Sequence, residues 1–539
     1  MPLRGIADLL LTGGSVFAPG LPAGADAAVA VAGSRILAVG PPDRMVELVN
    51  SDTRVIEIEG LVVPGFQDAH IHPPWGGLSE LRCALYDLST EAEYLRAIAA
   101  YAAEHPEAAW IEGGGWRMPA FPRGIARKEP LDEIVRDRPV FLENRDGHGA
   151  WVNSRALAAA GIERDTPDPP DGRIERDARG EPVGTLHEGA MELVERLIPP
   201  PTQAELEEGI LRAQRRLHAL GITAWQDAWV TEETLPAYRA LAEGGELTAR
   251  VVASLWWDRT QGLEQVDELV ERRRWGTVGR VDAGTVKIMQ DGVCENFTAA
   301  MLEPYLTDGG GSGISFVEPG LLDQAVTRLD GLGFQVHFHA IGDRAVREAL
   351  DAIEHAGATN GPRDARHHIA HIQVVHPDDV PRFAALGVVA NGQPLWACHE
   401  AQMDELTIPF LGPERSTHQY PFASLLAAGA RLAFGSDWTV SSANPLLEME
   451  VAVRRVAPET RDADPFLAEQ RISLTDALTA FTAGSAFVNR LDETGTIEPG
   501  KLADLAVIDR DPFAPGAGPI GDAKVVMTLV DGQVVFDAD

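Results

Sequence analysis

The sequence predicts a (β/α)8 TIM barrel in the α/β class, with a small β-sandwich formed by both termini and an insertion after the first barrel strand. Three observations carry this. From residue 201 onward, short apolar runs alternate with helical patterns, as βαβ units of a parallel sheet do. With one earlier strand these runs number eight, enough to close a barrel. Residues 1–60 and 491–539 differ from the middle, with short β-like runs broken by glycine and proline. The other architecture compatible with the alternation is an open doubly wound sheet. It fits less well, because no strand is followed by a glycine-rich phosphate fingerprint.

Composition bounds the function. At 539 residues the chain can bury a large core and form more than one domain. Its formal charge is 46 − 81 = −35, which disfavours nucleic acid and anionic membrane as partners, since cations that would neutralise phosphates are in deficit. No apolar run approaches the roughly 20 residues that span a bilayer. Asp8 interrupts the apolar start around Leu9–Leu11 and no small-residue cleavage site follows, so no signal peptide is expected. Cys83, Cys294 and Cys398 lie far apart and form no metal or disulfide framework, which points to a reducing cytoplasm. A small-molecule substrate and a homodimer, the commonest soluble assembly, are the expected partners.

In chain order, Ala7–Phe17, Ala27–Val39 and Val55–Glu59 read as strands of the terminal domain. Ala503–Asp509 and Val525–Phe536, with a turn at Asp531-Gly532, read as its other part. Leu61-Val62-Val63 reads as the first barrel strand and runs into Asp68-Ala69-His70-Ile71-His72. The barrel is expected over 61–490. Residues of about 75–200 are irregular, with helices expected at Glu91–Glu104 and Ala190–Leu197, and read as an insertion. Gln203–Leu220 then has helical spacing, with Leu206, Ile210, Leu211, Ala213 and Leu217 on one face. The remaining strands are expected at Ile222–Trp229, Ala249–Trp257, Gly284–Gln290, Phe334–Ala340, His367–Val375, Gly387–Asn391 and Arg431–Asp437.

Barrels of this kind place their chemistry at the C-terminal ends of the strands. His70 and His72, at i and i+2 of a strand, aim two imidazoles at one point, as a metal ion requires. Later strand ends carry Lys287, His339, His371 and Asp437. Singly, each has a plainer reading: a snorkelling lysine, a hydrogen-bonded core histidine, a solvated cluster with His367 and His368, a helix cap. His337 shares the face of His339 one pleat deeper and reads as a supporting residue. Together these residues are hard to dismiss as coincidence.

The order of these residues resembles the amidohydrolase superfamily. Val63-Pro64-Gly65-Phe66-Gln67-Asp68-Ala69-His70-Ile71-His72, His339-Ala340-Ile341-Gly342-Asp343, Val375-His376-Pro377 and Gly435-Ser436-Asp437-Trp438 carry the likeness. Asp146-Gly147-His148, Asn153-Ser154 and Gly495-Thr496 through Asp504-Leu505 add to it. The phrases are similar to those of the branch that includes N-substituted formamide deformylase and the YtcJ-like hydrolases. Two features depart from the pattern: Ala370 replaces a Glu often found before the strand-six histidine, and the stretch after Gln393-Pro394 is individual.

The resemblance implies a divalent metal centre of one or two ions. His70, His72 and Asp437 would hold the first, and His339 and His371 the second. Lys287 would be carboxylated to bridge them, because an ammonium cannot ligate and a carbamate can. The donor set suits zinc, manganese, iron or cobalt, and zinc is the expected ion. It also implies hydrolysis of an amide-type C–N bond (N-acyl, N-formyl or carbamate-like) by activated water, with Asp437 as general base and then acid. Hydrolysis of an ester or lactone at the same centre, or ligand binding at a decayed site, are the alternatives. His148 and Arg344 are expected to orient substrate or stabilise an oxyanion. Trp75, Trp116, Trp396 and Trp438, with His399 beside them, are expected to shape an apolar substrate face; Cys398 and Cys294 either join it or are small buried hydrophobes.

Overall fold

The computed structural model describes residues 5–307 and 309–538. Residues 1–4 of the leucine-bearing start lie outside the described residues, and Leu9–Thr12 is a strand. Among the described residues, no helix is long and apolar enough to cross a membrane.

Eight parallel strands form one continuous sheet: Phe66–Ile71, Ile222–Val230, Arg250–Trp256, Val281–Met289, Gln335–Ala340, His368–His371, Val389–Gly392 and Leu432–Phe434. Each pairs with its neighbour in chain order. The outer two strands meet through the Asp437 N–H, which donates to the His70 carbonyl at 2.8 Å. The Ser436 hydroxyl also donates to Asp68 Oδ2 at 2.6 Å. The strands approach so closely here that a Cβ on Gly435 would lie 2.4 Å from the His70 nitrogen, so only glycine fits. Helices alternate with the strands. Gln203–Ala219 begins in a reciprocal capping box between Thr202 and Glu205 and buries Leu206, Ile210, Ala213 and Leu217, the face its spacing predicts.

The first barrel strand begins later than its apolar run suggests. Leu61–Pro64 pairs with Leu505–Ile508 and with Ser15–Val16, in the terminal sheet. The barrel strand starts afresh at Phe66. Between them a Cβ on Gly65 would lie 2.4 Å from the Thr223 side chain. Every residue from Leu61 to Ile71 is buried, so apolar periodicity could not mark the change of sheet.

Both chain ends build two β-sheets. One has four strands, Leu9–Thr12, Ala28–Ala32, Arg35–Gly40 and Arg54–Glu57. The other has six and includes Leu61–Pro64, Leu505–Ile508 and Val525–Val530. Leu11, Val29, Val62, Leu505 and Leu529 share one core between them, as in a small sandwich. The stretch after the first barrel strand is more regular than expected. It forms a six-stranded sheet with strands from Cys83–Ala84 to Pro182–Glu188 and has its own apolar clusters. The helix Glu91–Glu104 lies where expected, whereas the second is only Glu192–Glu195.

Candidate metal centre and active site

The strand ends open into a cavity of about 500 Å³. His70, His72, Lys287, His339, His371 and Asp437 all line it, and so do His148 and Trp396. His70, His371 and Asp437 converge most tightly, with one donor atom of each within 4.8 Å of the others. His72 Nε2 lies 2.9 Å and His70 Nε2 3.4 Å from Asp437 Oδ1. Despite these short distances, Asp437 Oδ1 makes no hydrogen bond, and neither do His72 Nδ1 and both ring nitrogens of His371. His371 and Asp437 are 2% and 4% exposed. Buried polar atoms left without partners are costly, and lone pairs converging without hydrogen-bond alignment suit a shared cation. Imidazole and carboxylate donors are those a divalent transition metal takes, so the residues fit such an ion.

The backbone is distorted to bring them together. His371 and Asp437 take left-handed φ values of 74° and 52°, a cost of about 1–3 kcal/mol each that recurs at functional sites. The His371 turn ends strand six early and swings its ring between His70 and His339, at centroid distances of 4.6 and 4.3 Å. His371 therefore stands with His70 and Asp437 in the tightest triad while its ring stays beside His339, its expected companion with Lys287 at a second ion. Its main-chain N–H donates to Gln393 Oε1 at 2.9 Å, and Trp396 stacks on its ring at 5.2 Å, 1° from parallel.

Electrostatics follow from burial. Lys287, 3% exposed, is pulled down to about 7 by desolvation, which Asp437 and Asp227 offset only in part. His70, His339 and His371 are driven well below the ordinary imidazole range by burial and by neighbouring cationic groups, so they are neutral and able to ligate. His148 is the exception. Burial opposes its charge, but Glu188 and then Asp146 outweigh that and raise it to about 9. Its Nδ1 lies 2.9 Å from Glu188 Oε1, and its ring is 5.3 Å from that of His339. Glu188 also accepts from the Thr298 hydroxyl at 2.8 Å.

Several expected substrate contacts lie elsewhere. Trp116 is fully buried in the core of the insertion, and its indole N–H donates to the Leu142 carbonyl. Arg344 donates to the carbonyls of Ser312 and Gly313. Trp438 packs over Gly76 under the Arg216 guanidinium. None of the three lines the cavity. Cys294 and Cys398 are buried free thiols, and His399 pairs with Asp404. Trp75 does line the cavity, joined by Trp229 and Trp256. Those two, with Glu188, are the residues sequence reasoning missed. Trp229 and Trp256 sit at the ends of strands already identified, which was the signal available; Glu188 offered none.

Comparison with known proteins agrees with this architecture. A family model described as the amidohydrolase family matches residues 55–536. Protein LONG AFTER FAR-RED 3 of Arabidopsis thaliana is 32% identical over 547 residues, covering 98% of this chain and 92% of that protein. N-substituted formamide deformylase of Arthrobacter pascens is 29% identical over 531 residues, covering 95% of each. A crystal structure of an uncharacterized metal-dependent hydrolase from Pyrococcus furiosus superposes with a TM-score of 0.71 at 26% identity, covering 94% of this chain and all of that one. The chain belongs to the amidohydrolase family and is a hydrolase acting on carbon–nitrogen bonds.

Proposed function

We propose that the protein hydrolyses an amide-type bond, N-acyl, N-formyl or carbamate-like, of a small molecule at a divalent metal centre. The observation that carries this reading is the convergence of His70, His371 and Asp437, with unpartnered buried atoms, in the cavity at the strand ends. These three would hold one ion, with His72 beside them. A divalent ion bound there supplies water activated near neutral pH and polarisation of a carbonyl. Zinc is the expected ion.

The chain's own groups supply the rest. An Asp437 carboxylate oxygen accepts the proton of the attacking water and returns it to the leaving nitrogen. Lys287 is neutral over half the time at pH above about 7, the form that reacts with carbon dioxide; its carbamate, with His339, would complete a second ion site. His148, held by Glu188, presents its other ring nitrogen to the cavity and orients the acyl oxygen. Trp396, Trp229 and Trp75 offer flat apolar walls to the amine substituent. The cavity lining is acidic: among the described residues Glu192 and Glu195 make no salt bridge, and both are shifted upward by burial, Glu192 further by Asp171 and Asp258 against the pull of Arg259, Glu195 further by Glu192 and Glu112. The two arginines there are already paired, Arg259 with Asp171 and Arg272 with Glu232 and Glu268. Neutral or cationic amides therefore suit the cavity better than anionic ones.

The test is turnover of zinc-reconstituted protein on N-formyl and N-acyl amines beside matched esters. Amide hydrolysis with a preference over the ester supports the reading. Turnover of esters alone would contradict it.

A further inference from the structure

Beneath the metal centre the barrel holds a column of histidines that the chemistry above does not use. His70 Nδ1 lies 2.8 Å from His337 Nε2. His337 Nδ1 lies 3.3 Å from the Ser254 hydroxyl, which also accepts from Gln226 Nε2 at 3.1 Å. The His368 ring lies 4.0 Å from that of His337. His337, His368, Ser254 and Gln226 are all 0% exposed. Lys287, His337 and His368 are register partners across strands four, five and six, so this layer sits on the rigid part of the barrel.

The column constrains the tautomer of His70. A neutral imidazole carries one N–H, and its other nitrogen is a lone pair. To face Asp437 and an ion with a bare Nε2, His70 must carry its proton on Nδ1 and donate it to His337 Nε2. His337 must then carry its own proton on Nδ1 and donate it to Ser254. The opposite direction puts a proton on His70 Nε2 and blocks ligation. Ser254 Oγ has two lone pairs, so it accepts from both His337 and Gln226. His368 lies against the His337 ring, tilted by 41°.

We propose that His337 and Ser254 are positioning residues that lock the tautomer of His70 and so hold its Nε2 ready for the metal ion. Ligating histidines commonly donate their second nitrogen to a carboxylate or carbonyl, and loss of that partner typically costs 10- to 100-fold in metal affinity. Here a second histidine fills that place and must itself be set by a serine. The inference rests on the reading of His70 as an ion ligand.

The test is Zn²⁺ affinity of metal-stripped full-length protein, measured by competition with a chromogenic chelator and independent of turnover. His337→Phe keeps a buried ring but removes the acceptor, and is expected to bind zinc about 10- to 100-fold more weakly. His337→Gln restores an acceptor oxygen and is expected to recover most of that loss. Ser254→Ala is expected to weaken binding several-fold. Wild-type affinity in His337→Phe overturns the inference while leaving the metal centre intact. If His337→Phe fails to fold, an unchanged affinity in Ser254→Ala overturns it instead. Failure of the wild type to bind zinc overturns both this inference and the metal reading beneath it.

Discussion

Replacing Lys287 by methionine should make the metal-free protein more stable while removing a group assigned to the proposed metal centre. Lys287 is 3% exposed, and its amine is drawn from 10.5 to about 7 by burial. A displacement of that size corresponds to about 5 kcal/mol of unfavourable burial for the charged form. Methionine has a similar length, no charge and a side chain that adapts to irregular space. The sign depends on pH. Between about 7 and 10.5 the unfolded chain binds the proton more tightly than the folded one, so wild-type stability rises with pH across that window. The advantage of Lys287→Met is therefore largest at pH 7 and below, and vanishes near pH 10.5. Solvent reaching the cavity reduces the gain, so an advantage of about 2–4 kcal/mol at pH 7 is expected, within the 5 kcal/mol ceiling. The assay is denaturant unfolding of both metal-stripped proteins at pH 7 and pH 10. Comparing the two proteins at each pH cancels groups common to both. Equal stability at pH 7, or an advantage that does not shrink at pH 10, would refute the reasoning.

Three further outcomes are expected. Glu188→Gln keeps an acceptor for His148 but removes the charge, and should lower kcat about 10- to 100-fold with KM and zinc content little changed; steady-state kinetics beside metal analysis checks this. Gly65→Ala forces a Cβ to within 2.4 Å of Thr223 and should destabilise the protein by about 1–3 kcal/mol, read as a lower melting temperature. Amides bearing a carboxylate on the acyl side should show lower kcat/KM than neutral analogues, with the difference narrowing in Glu192→Gln/Glu195→Gln and at high salt.

Much of the fold and of the proposed ligand set could be read from sequence because both follow simple periodicities. Short apolar runs separated by amphipathic helices admit few architectures, and His70, Lys287, His339, His371 and Asp437 stand where those runs end. Contacts set by the path of the backbone were not readable. Leu61–Pro64 and Phe66–Ile71 follow one another with only Gly65 between them and lie in two sheets, because the change of partner strands at Gly65 depends on tertiary pairing and not on hydropathy. Among the strands of the insertion, Cys83–Ala84 and Gly149–Val152 are too short, and Ile111–Trp116 too glycine-rich, to show alternation. Trp116 and Trp438 lie near loop ends, but an indole's direction depends on packing, and both turn into apolar cores. Glu188 escaped notice because its place follows from a left-handed residue, φ 52°, at a strand end, where glycine or asparagine is the usual occupant. The place of His371 beside both His70 and His339 was equally unreadable, because it depends on a left-handed φ of 74° at a strand end.

The claim on which all of this turns is that His70, His371 and Asp437 hold an ion on which hydrolysis depends. The most direct measurement is metal content and amide turnover on one preparation, before chelation, after it, and after zinc is returned, with Asp437→Asn alongside. The account predicts at least one ion per wild-type chain, turnover that disappears with the ion and returns with it, and a folded Asp437→Asn protein with no turnover. Hydrolysis that survives complete removal of the ion, or near-normal turnover by Asp437→Asn, would contradict it.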